Sequence, residues 1–291
     1  MRDRSSLAEL HVHLEGTVRH ETAIELANSH GLPPPPAYTY STLPGFLDLY
    51  WKVCAVLRTA ADFERVIVEH GRAMERDGIG YAEISFNPSL HAGESWLPGV
   101  TAGRQRVAAE HGVDIAWLVE LVRGDPPDSL QRSLEIARST EGVVGLGLVG
   151  DETISAAPLA SLIERARGRG LRFMPHAGQG ADPGPVREAM EVLGADRIAH
   201  GVASAADPAL TRELARRDIC LCVCPSSNRR IGLRPDVGAL AAAGIPLTVN
   251  TDDPAMVPSN LPEELDLAAR DFGLDRDEVI AAAWKHRFSI R

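Results

Sequence analysis

The chain is short of positive charge, of cysteine and of long apolar stretches, and each shortage removes a class of explanation. Thirty Lys and Arg against forty Asp and Glu leave a formal net charge of −10. Holding a nucleic-acid backbone or an anionic membrane takes a basic surface, so neither is expected as a partner. An uncharged base or nucleoside stays compatible with this balance. No apolar run approaches the ~20 residues of a membrane helix. Met1-Arg2-Asp3-Arg4 leads into polar residues, not into the apolar core of a secretory leader. The four cysteines are Cys54, Cys220, Cys222 and Cys224. The last three alternate along one apparent strand, where neighbours two apart suit a disulfide poorly, and no second pair completes a thiolate metal site. They read as reduced, buried thiols of a cytoplasmic protein.

What is present is a rhythm of short apolar runs separated by helical stretches. The runs are 9–14, 79–86, 113–121, 143–149, 171–175, 197–200, 219–224 and 245–250. Helical periodicity covers 61–76, 128–139, 159–169, 185–193, 209–217 and 237–243. Alternation of this kind predicts βαβ units and a parallel sheet. Eight such strands in 291 residues favour one closed (β/α)8 TIM barrel, an α/β fold, over residues 1–291. An open doubly wound sheet would want a glycine-rich phosphate loop after an early strand, and His11-Val12-His13-Leu14-Glu15-Gly16 is no such loop. After the first strand, Gly31-Leu32-Pro33-Pro34-Pro35-Pro36 breaks helix and sheet alike. A helical excursion over 43–51 follows. It is either a packed insertion or a lid carrying Phe46, Tyr50 or Trp51 over the barrel mouth.

Barrel enzymes place their chemistry at the C-terminal ends of the strands. In this chain the first strand ends in His11-x-His13, the fifth in His176-Ala177-Gly178-Gln179, the sixth in His200-Gly201 and the eighth in Asn250-Thr251-Asp252-Asp253-Pro254. Side chains two apart on a strand share a face, so His11 and His13 can reach one ion. With His176 and Asp252 they offer three nitrogens and one oxygen. Such a set suits one zinc per chain, with a position kept open for water. His200 then stands beside that water.

These segments, together with Val143–Val149 and the following Gly150-Asp151-Glu152, Asp196-Arg197-Ile198-Ala199-His200-Gly201, and Cys224-Pro225-Ser226-Ser227-Asn228, resemble the motifs of the adenosine/adenine deaminases of the amidohydrolase superfamily. They occur in that family's order and span most of the chain. The resemblance implies a zinc-dependent aminohydrolase that removes an exocyclic amine from a purine base, nucleoside or modified nucleoside. It makes His11, His13, His176 and Asp252 the zinc ligands and His200 the group that orients and deprotonates the water. It makes Asp253 the carboxylate that aims the water and Gly150 a backbone donor to the ring. It places Glu15 at the substrate.

Two positions depart from the pattern. The family's proton-donating glutamate after His-Ala-Gly is here Gln179, whose amide can donate a hydrogen bond but cannot give up a proton, a deficit of roughly 10²–10⁴-fold in rate. An introduced substitution, natural divergence to a substrate or leaving group that needs no ring protonation, and a chain that binds without turnover all remain open. Glu15 stands where the adenosine enzymes usually have aspartate, which leaves base and nucleoside substrates both open; the sequence does not give the oligomeric state. His91-Ala92-Gly93-Glu94 repeats the missing motif literally, but it follows the second strand and reads as a loop.

Overall fold

The structure, a computed structural model, describes residues 6–288. Eight parallel strands are ordered around a ring as they are in the chain: β1 (Leu7–His13), β2 (Ile79–Phe86), β3 (Asp114–Val122), β4 (Val143–Val149), β5 (Arg172–Ala177), β6 (Arg197–His200), β7 (Cys220–Val223) and β8 (Leu247–Val249). Helices α1 (His20–Ser29), α2 (Leu43–Cys54) and α3 (Ala60–Arg76) lie between β1 and β2. They are followed by α4 (Leu97–Glu110), α5 (Pro127–Ser139), α6 (Ala160–Arg167), α7 (Gly184–Glu191) and α8 (Pro208–Arg216), each between successive strands. Next come α9 (Pro225–Arg230) and α10 (Val237–Ala242), with α11 (Leu261–Phe272) and α12 (Arg276–His286) after β8. All eight apolar runs are strands, and the architecture is the expected (β/α)8 barrel. Among the described residues no helix is long and apolar enough to cross a membrane.

Local chemistry sets the element boundaries. The Thr59 side chain accepts from the Asp62 N–H while Asp62 answers with the Thr59 N–H, a reciprocal cap that starts α3. Asp207, Asp236, Asn260 and Asp275 start α8, α10, α11 and α12 with one-way caps, each side chain accepting from N–H groups of the first turn. The helices turn apolar stripes onto the outer face of the strands, so the strands are buried on both sides and read as continuous apolar runs.

Two features of the ring position the site. The first is a register shift in β1 between Glu9 and Val12. This bulge breaks the simple alternation. Leu10 joins Ala8 in the inner apolar cluster, Val12 packs in the outer one, and the freed Leu10 N–H donates to Asn250 Oδ1 at 2.8 Å. The second is the closure. Residues just past β8 pair with β1: the Asp252 N–H donates to His11 O (3.2 Å) and the His13 N–H to Asp252 O (2.8 Å).

The opposite end of the barrel is sealed by a buried ion pair. Arg197 and Glu83 are both fully buried and paired. The Arg197 guanidinium also lies 4.1 Å over the Phe288 ring and donates to His286 O at 2.8 Å, and the Phe288 N–H donates to Glu83. Removing one member strands the other charge out of water. Glu83→Ala is therefore expected to cost ~3–5 kcal/mol in urea unfolding, and less when paired with Arg197→Met. A loss under ~1 kcal/mol for the single variant would show that the pair does not hold this end together.

Candidate active site

At the C-terminal ends of the strands, four donor atoms from β1, β5 and the closing segment converge. His11 Nε2 and His13 Nε2 each lie 3.1 Å from His176 Nε2. Asp252 Oδ1 lies 3.2 Å from His11 Nε2 and 3.3 Å from His13 Nε2. A tetrahedron whose corners stand about 2.0–2.1 Å from a central ion has edges of about 3.3–3.4 Å. The four measured edges fall at or just under that length, so these donors fit one small dication.

The outer ring nitrogens fix which atoms face inward. His176 Nδ1–H donates to Leu148 O at 3.1 Å. His13 Nδ1 sits 2.9 Å from Ser85 Oγ, and His11 Nδ1 lies 3.4 Å from both Cys222 O and Cys224 Sγ. Each contact leaves the Nε2 lone pair for the centre. The second carboxylate oxygen of Asp252 accepts from Ser227 Oγ at 2.6 Å. Burial alone would raise the Asp252 carboxyl, but the His11 and His13 imidazoles overcome it and hold the group well below its ordinary range. Burial, with His11 and His13 alongside, pushes His176 well below the usual imidazole value.

His200 stands one step outside this set. Its Nε2 is 3.8 Å from Asp252 Oδ2, and its ring centre is 5.0 Å from that of His11. Among the described residues neither buried ring nitrogen makes a hydrogen bond of good geometry, and the Asn228 side chain lies nearby. Burial lowers the pKa of His200 to about 3, which keeps the ring neutral. Asp253 is buried, and its Oδ1 has no hydrogen-bond partner among the described residues; burial and then the Asp252 charge push its carboxyl well up. Gly16 is required here, because a Cβ on it would fall 2.0 Å from Asp253 Oδ1. His200 and Asp252 both adopt left-handed backbone, φ 62° and 66°, a strained state for such residues that the surrounding ring must hold in place.

The rim residues are arranged differently. Gly150 is exposed at the end of β4, with φ 104°. Gln179 is half-buried just past β5. Its backbone N–H and that of Gly178 donate to the two Glu152 oxygens, at 3.1 and 2.7 Å, so one carboxylate pins the turn. Glu15 is fully buried. Its Oε1 accepts from Asn87 N–H and faces His91 Nε2, both at 3.0 Å, and its Oε2 accepts from Tyr50 OH at 3.1 Å. His91 is thus a buried partner of Glu15, whereas Glu94 is exposed and paired with Arg132. Through Tyr50 the same carboxylate ties α2 to the barrel. Tyr50 lies edge-on to His13 at 6.5 Å and leads through Phe46 (5.5 Å) to Tyr40 (5.2 Å), an aromatic strip running outward from the site. Trp51 points away and is 57% exposed.

The sequence reading passed over Glu120. It lies in β3, buried inside the barrel in the layer that His13 and His176 supply from β1 and β5. Its Oε1 is 3.8 Å from His13 Nδ1. Burial raises its pKa to about 7, with the His13 charge opposing. A carboxylate within the otherwise apolar stretch 115–122 was the signal available.

Against known proteins, the sequence model of the adenosine deaminase family matches residues 6–286. An aminodeoxyfutalosine deaminase from Acidothermus cellulolyticus is 39% identical over 292 aligned residues, covering 90% of this chain and 82% of that protein. An adenine deaminase from Rhodospirillum rubrum is 33% identical, covering 92% and 86%. Among solved structures, an adenine deaminase from Arthrobacter aurescens superposes with a TM-score of 0.91 at 26% identity, covering 98% of this chain and 94% of that one.

The Glu15 network yields a test. His91→Ala should cost ~1.5–3 kcal/mol in thermal or urea unfolding, the range for a hydrogen bond to a charged group. It should also loosen α2, read as faster proteolysis within residues 43–54. Wild-type stability and wild-type protection of α2 would show that the network is incidental.

Proposed function

Because the chain belongs to the adenosine deaminase family, whose members are hydrolases acting on C–N bonds, we propose that it is a zinc-dependent aminohydrolase. Its substrate is a purine base, nucleoside or modified purine nucleoside. The observation that carries this reading is the set of four donor atoms spaced 3.1–3.3 Å apart, each imidazole fixed through its other nitrogen. His11, His13, His176 and Asp252 hold the ion. When bound, zinc supplies a Lewis acid that brings the acidity of water towards neutral pH.

The remaining steps belong to the chain. His200, held neutral, takes a proton from the attacking water and returns one to the departing amine. Asp253, buried against Gly16 and next in the chain to Asp252, fixes the direction of attack. Water's oxygen bonds to the amine-bearing ring carbon, the carbon–nitrogen bond breaks, and ammonia leaves. The Gly150 N–H is placed at the rim to meet a ring nitrogen. Glu15 shapes the base of the pocket through Tyr50 and Asn87, and α2 lays Tyr50 and Phe46 beside the ring as a lid.

Gln179 occupies the position from which a ring nitrogen would be protonated. Its amide can orient that nitrogen but supplies no proton, which favours a second reading: a substrate whose ring or leaving group needs none. The two readings separate cleanly. Metal analysis of purified protein should give about one zinc per chain, falling to background in Asp252→Ala. On a panel containing adenine, adenosine and aminodeoxyfutalosine, ammonia release should rise roughly 10²–10⁴-fold in Gln179→Glu. A rise supports the purine aminohydrolase. A fall on the best substrate moves the assignment to a different leaving group, and ligand retained unchanged by both forms shows a binder without turnover.

A further inference from the structure

Glu120 is not used by the chemistry above, yet its placement is costly. Both carboxylate oxygens are buried and find no hydrogen-bond partner among the described residues. The adjacent strand gives up a side chain to house it: a Cβ on Gly147 would fall 2.2 Å from Glu120 Oε2. A carboxyl taken out of water without donors needs a compensating interaction.

The candidate for that compensation lies on one side only. His13 presents Nδ1, not Nε2, towards Glu120, at 3.8 Å. Ser85 Oγ stands 2.9 Å from the same Nδ1 and 3.3 Å from Val12 O. The inward nitrogen of His13 belongs to the four-donor set, so its outer N–H must be received by something. Ligating imidazoles are commonly oriented, and made more basic, by a carboxylate behind them. His176 and His11 have backbone oxygens in that place; His13 alone of the three has a hydroxyl with a carboxyl beyond it.

We infer that Glu120, acting with Ser85, is the positioning residue behind His13, fixing that ring and strengthening its hold on the dication. The inference rests on the metal site proposed above.

The test measures zinc affinity by chelator competition on metal-stripped full-length protein, for wild type, Glu120→Gln, Ser85→Ala and the double variant. Melting temperatures of the metal-free forms serve as the folding check. The expected result is a roughly 10–100-fold weaker zinc Kd for Glu120→Gln, with metal-free melting unchanged or raised. Ser85→Ala should lose several-fold, and the double variant should lose less than the product of the two, as coupled neighbours do. Cobalt in place of zinc should show an altered visible spectrum in Glu120→Gln, a signature that a residue which merely packs would leave alone. Wild-type zinc affinity in Glu120→Gln overturns the inference. If that variant does not fold, wild-type affinity in Ser85→Ala overturns it instead. Absence of a stoichiometric ion in wild type removes the site itself, and is seen before any variant is compared.

Discussion

The structure depends on one seam, where the polypeptide past β8 hydrogen-bonds to β1. The two backbone bonds between Asp252 and the His11 and His13 peptides complete the ring, and the same three residues supply three of the four inward-facing donors. Closure and site assembly are therefore one geometric event. A shift of β1 by a single residue would turn its imidazoles to the outer face and break the pairing with Asp252. Asp252 makes both contacts, its peptide pairing with β1 and its carboxylate turned inward, from a left-handed backbone.

Much of this was legible in the sequence because parallel-barrel strands are buried on both faces and so announce themselves as apolar runs. The strands and the polar residues at their ends could be placed by counting, and the four segments from distant parts of the chain needed only the fold to gather them. The bulge in β1 was not legible. Alternation alone puts Glu9 on the same face as His11, whereas the register shift sends Leu10 inward. Nothing local in Glu9-Leu10-His11 signals this, since the freed N–H is received by Asn250, 240 residues away.

Buried charge was the other blind spot. Glu120, the Arg197–Glu83 pair and the His91–Glu15 contact each join residues far apart in sequence, and their partners appear only when the ring is formed. His91 is instructive. The motif around it matched by chance, its order along the strands argued against the metal site, and the histidine nonetheless lies behind the pocket as a partner of Glu15. Order along the chain identified which strand end it belonged to; only packing showed what it touches.

The wide separation of the donors bears on how such a chain is made. A growing polypeptide that has emerged only through β5 already carries His11, His13 and His176, but not Asp252. It offers three of the four donors and lacks the carboxylate that completes the set. Firm retention waits until the ring shuts, because the carboxylate arrives with the strand that shuts it. On the proposed metal site, the fourth donor is therefore in place only once the segment after β8 has joined β1.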